Sequence, residues 1–271
     1  MKNTFILFFL IFISNSFIVF TQQSSINKIS TAPKMIEVGE DIAYVVKYLM
    51  FQIGEVRLKV TNKEISGKDT IYTAIAYIDS YQGIPFVDLH QIYETKFDTK
   101  EISYYFKGTV LSSDTTYTIY EFDRSKKIIH ILQGREGIHP KIWTDSTAIY
   151  NHNYVDGLSI FYFARMRTGQ KKTVTVPCFL NEHYEKTFIN FNDEVEDKSI
   201  DAVDYDIACV YLDGSTEFKG IFGLTGYFEG WFSNDSRAIP IIAKVQVIIG
   251  SITLELKDWN KEKWMPPKFI D

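Results

Sequence analysis

Residues 231–256 read WFSNDSRAIPIIAKVQVIIGSITLEL. The end of this stretch alternates cleanly: Ile252, Leu254 and Leu256 fall on one side, and Ser251, Thr253, Glu255 and Lys257 on the other. That is the pattern of a strand with one apolar face. Two further runs rich in aromatic and β-branched residues, 226–232 and 239–248, precede it, and SNDSRA between them is made of residues whose side chains bond to turn backbone. Pro240 has no backbone donor and belongs at a strand start or an edge. Ser233, Asp235, Ser236 and Arg237 therefore read as a hairpin turn, since no histidine lies close by to act as a base for a serine nucleophile. If that turn is exposed, changing Asp235 or Arg237 to alanine is expected to alter stability by no more than about 0.5 kcal/mol.

The same grammar runs through most of the chain. From Asp41, the residues Ile42, Tyr44, Val46 and Tyr48 alternate with Ala43, Val45 and Lys47, and after Gly54 the residues Val56, Leu58 and Val60 alternate with Glu55, Arg57 and Lys59. Further extended runs are read at 70–78, 89–97, 102–106, 115–122, 127–132, 172–180, 185–191 and 203–212, separated by polar or glycine-containing breaks. After Gln133 the alternation lapses, which predicts a long irregular connection to Gly157; such loops usually cover something or do something. One helix is expected, over 158–167, where Leu158, Phe161, Tyr162 and Arg165 share a side and Asp156 favours its start. Many strands with short turns and almost no crossover helix imply a mainly β chain: a single antiparallel, strongly curved sheet or barrel-like domain with one short helix.

The first residues carry one cation, Lys2, then an apolar run to Phe20 and a polar stretch. This is the anatomy of a signal peptide. The competing reading is an uncleaved anchor, although 5–20 is slightly short of the roughly 20 apolar residues of a spanning helix. The organisation expected is a signal peptide over 1–22, a flexible leader over 23–34, one β-rich domain over 35–260 and a C-terminal tail over 261–271. No cysteine follows the apolar run, so the exported protein, placed in the periplasm or cell envelope, is not a cysteine-anchored lipoprotein. The two cysteines, Cys178 and Cys209, are read as buried small hydrophobes or as a disulfide, with both readings open. A net charge of −5 without a dense basic run gives no reason to expect nucleic acid.

Four segments carry a resemblance: VGEDIAYVVKYLMFQIGEVRLKV, FVDLHQIYETKFD, DGLSIFYFARMR and GWFSNDSRAIPIIAKVQVIIGSITLEL. In order and spacing they resemble a family of uncharacterised exported proteins of Gram-negative bacteria, domain of unknown function 3108. The resemblance implies one β-rich envelope domain and supplies no activity or site.

No pair of the five histidines falls at a metal-binding spacing, so no metal site and no cofactor is expected. His139, His152, Asp145 and Asp156 lie in or beside the irregular segment and read as solvated loop or capping residues. Asp79, Asp88, Glu94 and Asp98 read as a solvated sheet face rather than as paired catalytic carboxylates. Arg165 and Arg167 read as partners of the helix C-terminus, with anion binding as the alternative. No catalytic residue is assigned. The aromatics are the remaining signal, and Tyr44, Tyr48, Phe161, Tyr162 and Trp231 are the candidate ligand-binding residues of an apolar concavity. The function expected is a noncatalytic envelope protein that binds a lipid or another apolar ligand, or an envelope protein partner. The alternatives are a hydrolase whose site assembles only in three dimensions and a scaffold or assembly factor with a filled core.

Overall fold

The computed structural model describes residues 28–270 apart from 86, 217, 219–224, 248 and 249. The expected signal peptide, the start of the leader and Ile248 at the end of one expected strand lie outside the described residues. The strands are β1 (Asp41–Tyr48), β2 (Phe51–Ser66), β3 (Asp69–Ser80), β4 (His90–Asp98), β5 (Ser103–Val110), β6 (Thr116–Asp123), β7 (Ile128–Arg135) and β8 (Lys141–Ile149). After helix α1 (Ser159–Arg165) come β9 (Lys172–Leu180), β10 (His183–Lys198), β11 (Ile207–Thr216), β12 (Gly226–Ser233), β13 (Pro240–Gln246) and β14 (Ser251–Trp259). Among the described residues, these fourteen strands form one antiparallel sheet in the order β8-β7-β6-β5-β4-β3-β2-β1-β14-β13-β12-β11-β10-β9. The chain is thus two meanders, β1–β8 and β9–β14, sewn together by the pairing of the first strand with the last.

The sheet curls until its two ends meet. Phe179 on β9 lies edge-on to Tyr120 on β6, with ring centroids 5.1 Å apart, although the sheet order separates the two strands widely. At the β9–β10 turn, Glu182 accepts hydrogen bonds from Tyr120 Oη and Gln133 Nε2, and Tyr184 Oη donates to the Ile149 carbonyl. The edges β8 and β9 are not paired with each other; instead Val155 forms a parallel bridge to Cys178. The expected curved sheet is therefore open, and the Val155 bridge together with side-chain contacts at its edges brings it close to closure.

Alternation explains which face is inside. Antiparallel partners share a face, so Val46, Leu254, Ala243, Gly230 and Leu212 form one row across five strands. Val56 and Val60 are buried in the concavity as expected, whereas Arg57 and Lys59 on the outer face pair with Asp41. In β1 both faces are buried, because the connection between β10 and β11 lies over the outer side: Lys47 pairs with Asp201, and the Asp201 amide donates to Glu255.

Three expectations are corrected. The irregular connection after Gln133 contains β8, an edge strand paired, among the described residues, with β7 alone. Its side chains are exposed on both faces apart from the half-buried Thr144 and Ala148, so the sequence has no apolar alternation to show there. Residues 28–34 of the expected flexible leader are tied down, for the Ser30 amide donates to Asn234 and Lys34 donates to the Asp235 carbonyl. The expected C-terminal tail is likewise part of the folded body. Trp264 packs against Trp259, and the Pro267 carbonyl accepts from the Ala208 amide.

Cys178 and Cys209 are both free and buried. They lie on the two sides of β10, opposite Glu185 and Glu196, so they are separated by that length of strand. This is on the order of 30 Å, far beyond the reach of a disulfide. The small-hydrophobe reading is the one that fits.

Candidate functional site

Helix α1 sits inside the curl and is held there by polar anchors at both ends. At its start, Asp156 is fully buried, and its Oδ1 accepts from the amides of Leu158 and Ser159. Its Oδ2 accepts from the hydroxyls of Thr95 and Ser103, each at 2.6 Å, which ties the helix to β4 and β5. Burial raises the Asp156 pKa above the ordinary carboxylate range, even though these four donors favour the anion. The capping role read for Asp156 is borne out, while its reading as a solvated residue is overturned.

At the other end, Arg165 is buried and makes a two-point ion pair with Glu40, at 2.6 and 2.9 Å, just before β1. It also donates to the Arg237 carbonyl in the β12–β13 turn. Among the described residues, the neighbouring Tyr44 and Tyr162 hydroxyls are buried without a hydrogen-bond partner, as is Arg165 Nε. Burial pushes the pKa of both tyrosines up. Arg167 pairs with Glu101, whose carboxyl is pushed up to about 7 because burial outweighs the pull of the guanidinium. The two arginines are therefore already occupied by carboxylates. Arg167 does donate to a helix carbonyl, that of Phe163, but Arg165 serves the Glu40 pair and the turn instead.

Between α1 and the sheet lies an apolar cavity of about 110 Å³. The helix supplies Ile160, Phe161 and Ala164, and the sheet supplies Tyr44, Leu58, Leu254, Ala243, Phe228 and Phe232 among others. The floor is low because Ala243 and Gly230 are small and adjacent in register. Gly214 is required beside it: a Cβ there would stand 2.3 Å from both the Phe188 carbonyl oxygen and the Phe228 ring.

The five aromatics singled out by sequence separate in space. Tyr44 and Phe161 line the cavity. Tyr48 shares the face of Tyr44, level with Ile252 at the strand end, and is not part of the lining. Tyr162 points into the core on another side of the helix, stacked on Phe97 at 4.7 Å. Trp231 faces outward in the β12 alternation, packs on Tyr211 and donates to Glu196. The aliphatic floor residues were missed because single aliphatic positions on β13 and β14 have no signal apart from the strand pattern.

The polar candidates also disperse. His139 and His152 stand beyond opposite ends of β8, Asp145 bonds to His130, and His90 bonds to Asp79 with Asp88 nearby. Asp98 is buried, accepts from the amides of Lys100 and Ile102 and pairs with Arg124, so its reading as part of a solvated face is corrected. Among the described residues, no group of three or more His, Cys, Asp or Glu could hold a metal ion. The SNDSRA segment is a turn, but a heavily bonded one. Asp235 Oδ1 accepts from Ser233 Oγ and the amides of Arg237 and Ala238, and Asp235 Oδ2 accepts from Trp264 Nε1.

Neither a curated protein nor a solved structure matches the chain. A family model described as protein of unknown function (DUF3108) matches residues 43–257, from β1 to β14 and through every element that builds the cavity, and the chain belongs to that family.

Proposed function

We propose that this is a noncatalytic protein of the cell envelope, exported through its N-terminal segment, that holds the apolar chain of a lipid-like molecule beneath α1. The observation that supports this reading is the cavity, whose lining is almost wholly aliphatic and aromatic, while the nearby charged groups are already taken, Arg165 by Glu40 and Asp156 by Thr95. Its volume of about 110 Å³ favours part of a ligand over the whole of one. Sites that engulf a whole small molecule run to roughly 300–1,000 Å³. What enters here is the end of one chain, and the remainder lies outside the cavity. Such a site gains free energy in proportion to the apolar area it takes from water, about 25 cal/mol per Å².

Native mass spectrometry of protein purified from its own envelope, before and after mild detergent, tests the reading. The expected result is a lipid-sized adduct on a chain shortened at its N-terminus. The adduct is removed by detergent and is absent when Ala243→Phe fills the floor. A clean apo mass for the unaltered protein, or an adduct that persists in Ala243→Phe, overturns it.

A further inference from the structure

The two ends of the curled sheet differ in chemistry. At one rim the turns are charged: residues 66–69 read SGKD, 98–101 DTKE and 123–127 DRSKK. At the other rim the turns carry exposed apolar residues beside a few acids, and backbone bonds align them along one line. The Tyr81 amide donates to Ile53, the Leu111 amide to His90 and the Glu136 amide to Thr115. Along that line stand Leu49, Met50 and Phe51 at the β1–β2 turn, Leu111 after β5, Ile138 before β8 and Trp143 near the start of β8, all exposed. Met50 is 83% exposed and Ile138 93%. Exposed apolar residues also stand elsewhere, Ile65 and Ile149 at the charged rim among them, and single ones need no explanation, but their clustering along this one rim does.

We infer that this rim docks on a lipid surface, its turns dipping into the headgroup and acyl boundary. Several features choose a bilayer over a protein partner. The apolar residues are borne by separate hairpin turns strung along a rim, and a bilayer receives such points without a matching shape. The indole of Trp143, a residue type enriched at membrane interfaces, stands a few residues back from the β7–β8 turn. The turns at this rim bear acids, Asp88, Asp114 and Glu136, and no dense basic cluster, so attraction to anionic headgroups is not the drive. The cavity wall begins just inside the same rim: Phe228 and Val245 are paired in the row next to Gly226 and Gln246. The inference stands on the rim and not on the cavity, so either can fail alone.

The test is an environment-sensitive dye on Met50→Cys and, separately, on Ile65→Cys at the charged rim, where Ile65 is 80% exposed. Both natural thiols are fully buried, which directs the label to the new one. With phosphatidylcholine vesicles carrying a nitroxide quencher in the acyl region, the label at position 50 is expected to shift blue and be quenched, and the label at 65 to do neither. Adding Leu49→Asp and Phe51→Asp is expected to lower the quenched fraction roughly tenfold or more. An N-terminal segment retained as an anchor would bring both labels near the vesicle without burying either. The inference is overturned by no change at 50, by equal change at both positions, or by a change that needs anionic lipid. A shift at 50 that grows with protein concentration in the absence of vesicles would assign the rim to a second copy and overturn it as well.

Discussion

Glu40 and Arg165 are 125 residues apart in sequence and share one buried ion pair, a relation that no local pattern announces. Arg165 looked like a partner of its own helix because it ends an amphipathic run, and it became the anchor between that helix and the entry to β1. A pair this buried need not stabilise more than well-packed hydrophobes would, but it fixes which way the helix lies. Glu101 is more telling about pH. Its carboxyl is raised from 4.5 to about 7 by burial, against the pull of Arg167. Between these values the folded chain holds the proton more tightly than the unfolded chain, so stability is fully present below pH 4.5 and is lost as pH rises through 7. The shift sets an upper bound of about 3 kcal/mol on the change. His90 and His130, raised by Asp79 and Asp145, also lose their contribution as pH rises, but they are common to both proteins in a comparison with Glu101→Gln. Urea unfolding across pH 4–8 is expected to show a steeper fall in stability for the unaltered protein than for Glu101→Gln. Parallel curves would show that Glu101 keeps an ordinary pKa.

At the level of elements, most strands were legible because one face of each is buried and the other wet, and β9 was read to its observed ends, 172–180. β8 was illegible for the converse reason, since an edge strand wet on both faces leaves no periodic trace. Of the cavity, sequence gave two aromatics, Tyr44 and Phe161, and no means of knowing that Ala243 and Gly230 would lie side by side beneath the helix. The β12–β13 turn was identified from its composition, but not its bonding. Asp235 receives four donors there, one of them the Trp264 indole from the C-terminal segment. Asp235→Ala is therefore expected to cost about 2–3 kcal/mol, because two backbone amides and an indole lose their acceptor. This replaces the near-neutral effect expected for an exposed turn. Denaturant midpoints decide, and a loss below about 0.5 kcal/mol would return the turn to the exposed class.

For the whole molecule, the decisive fact is that a fourteen-stranded sheet curls until its edges approach without pairing with each other. β8 and β9 share no ladder, so the seam is held by the backbone bonds of Val155 to Pro177 and Phe179 and by side chains, with Phe179 set among Tyr120, Phe122, Tyr154 and Tyr184 and with Glu182 bridging Tyr120 and Gln133. The chain accepts left-handed backbone at both Asn181 and Glu182 to aim that bridge. This turn conformation suits a two-residue hairpin but normally favours Asn and Gly, so Glu182 is held there against its preference. The seam should accordingly open before the sewn centre at β1 and β14 does. Phe179→Ala removes the ring at the focus of this contact and is expected to cost about 3–5 kcal/mol. Hydrogen exchange in that variant is expected to quicken at β8, at 150–158 and at the β9–β10 turn, while amides in β1, β2 and β14 keep their protection relative to global unfolding. Uniform loss of protection across all fourteen strands would show that the seam and the centre unfold as one unit. In that case closure belongs to the cooperative core rather than to a separable latch.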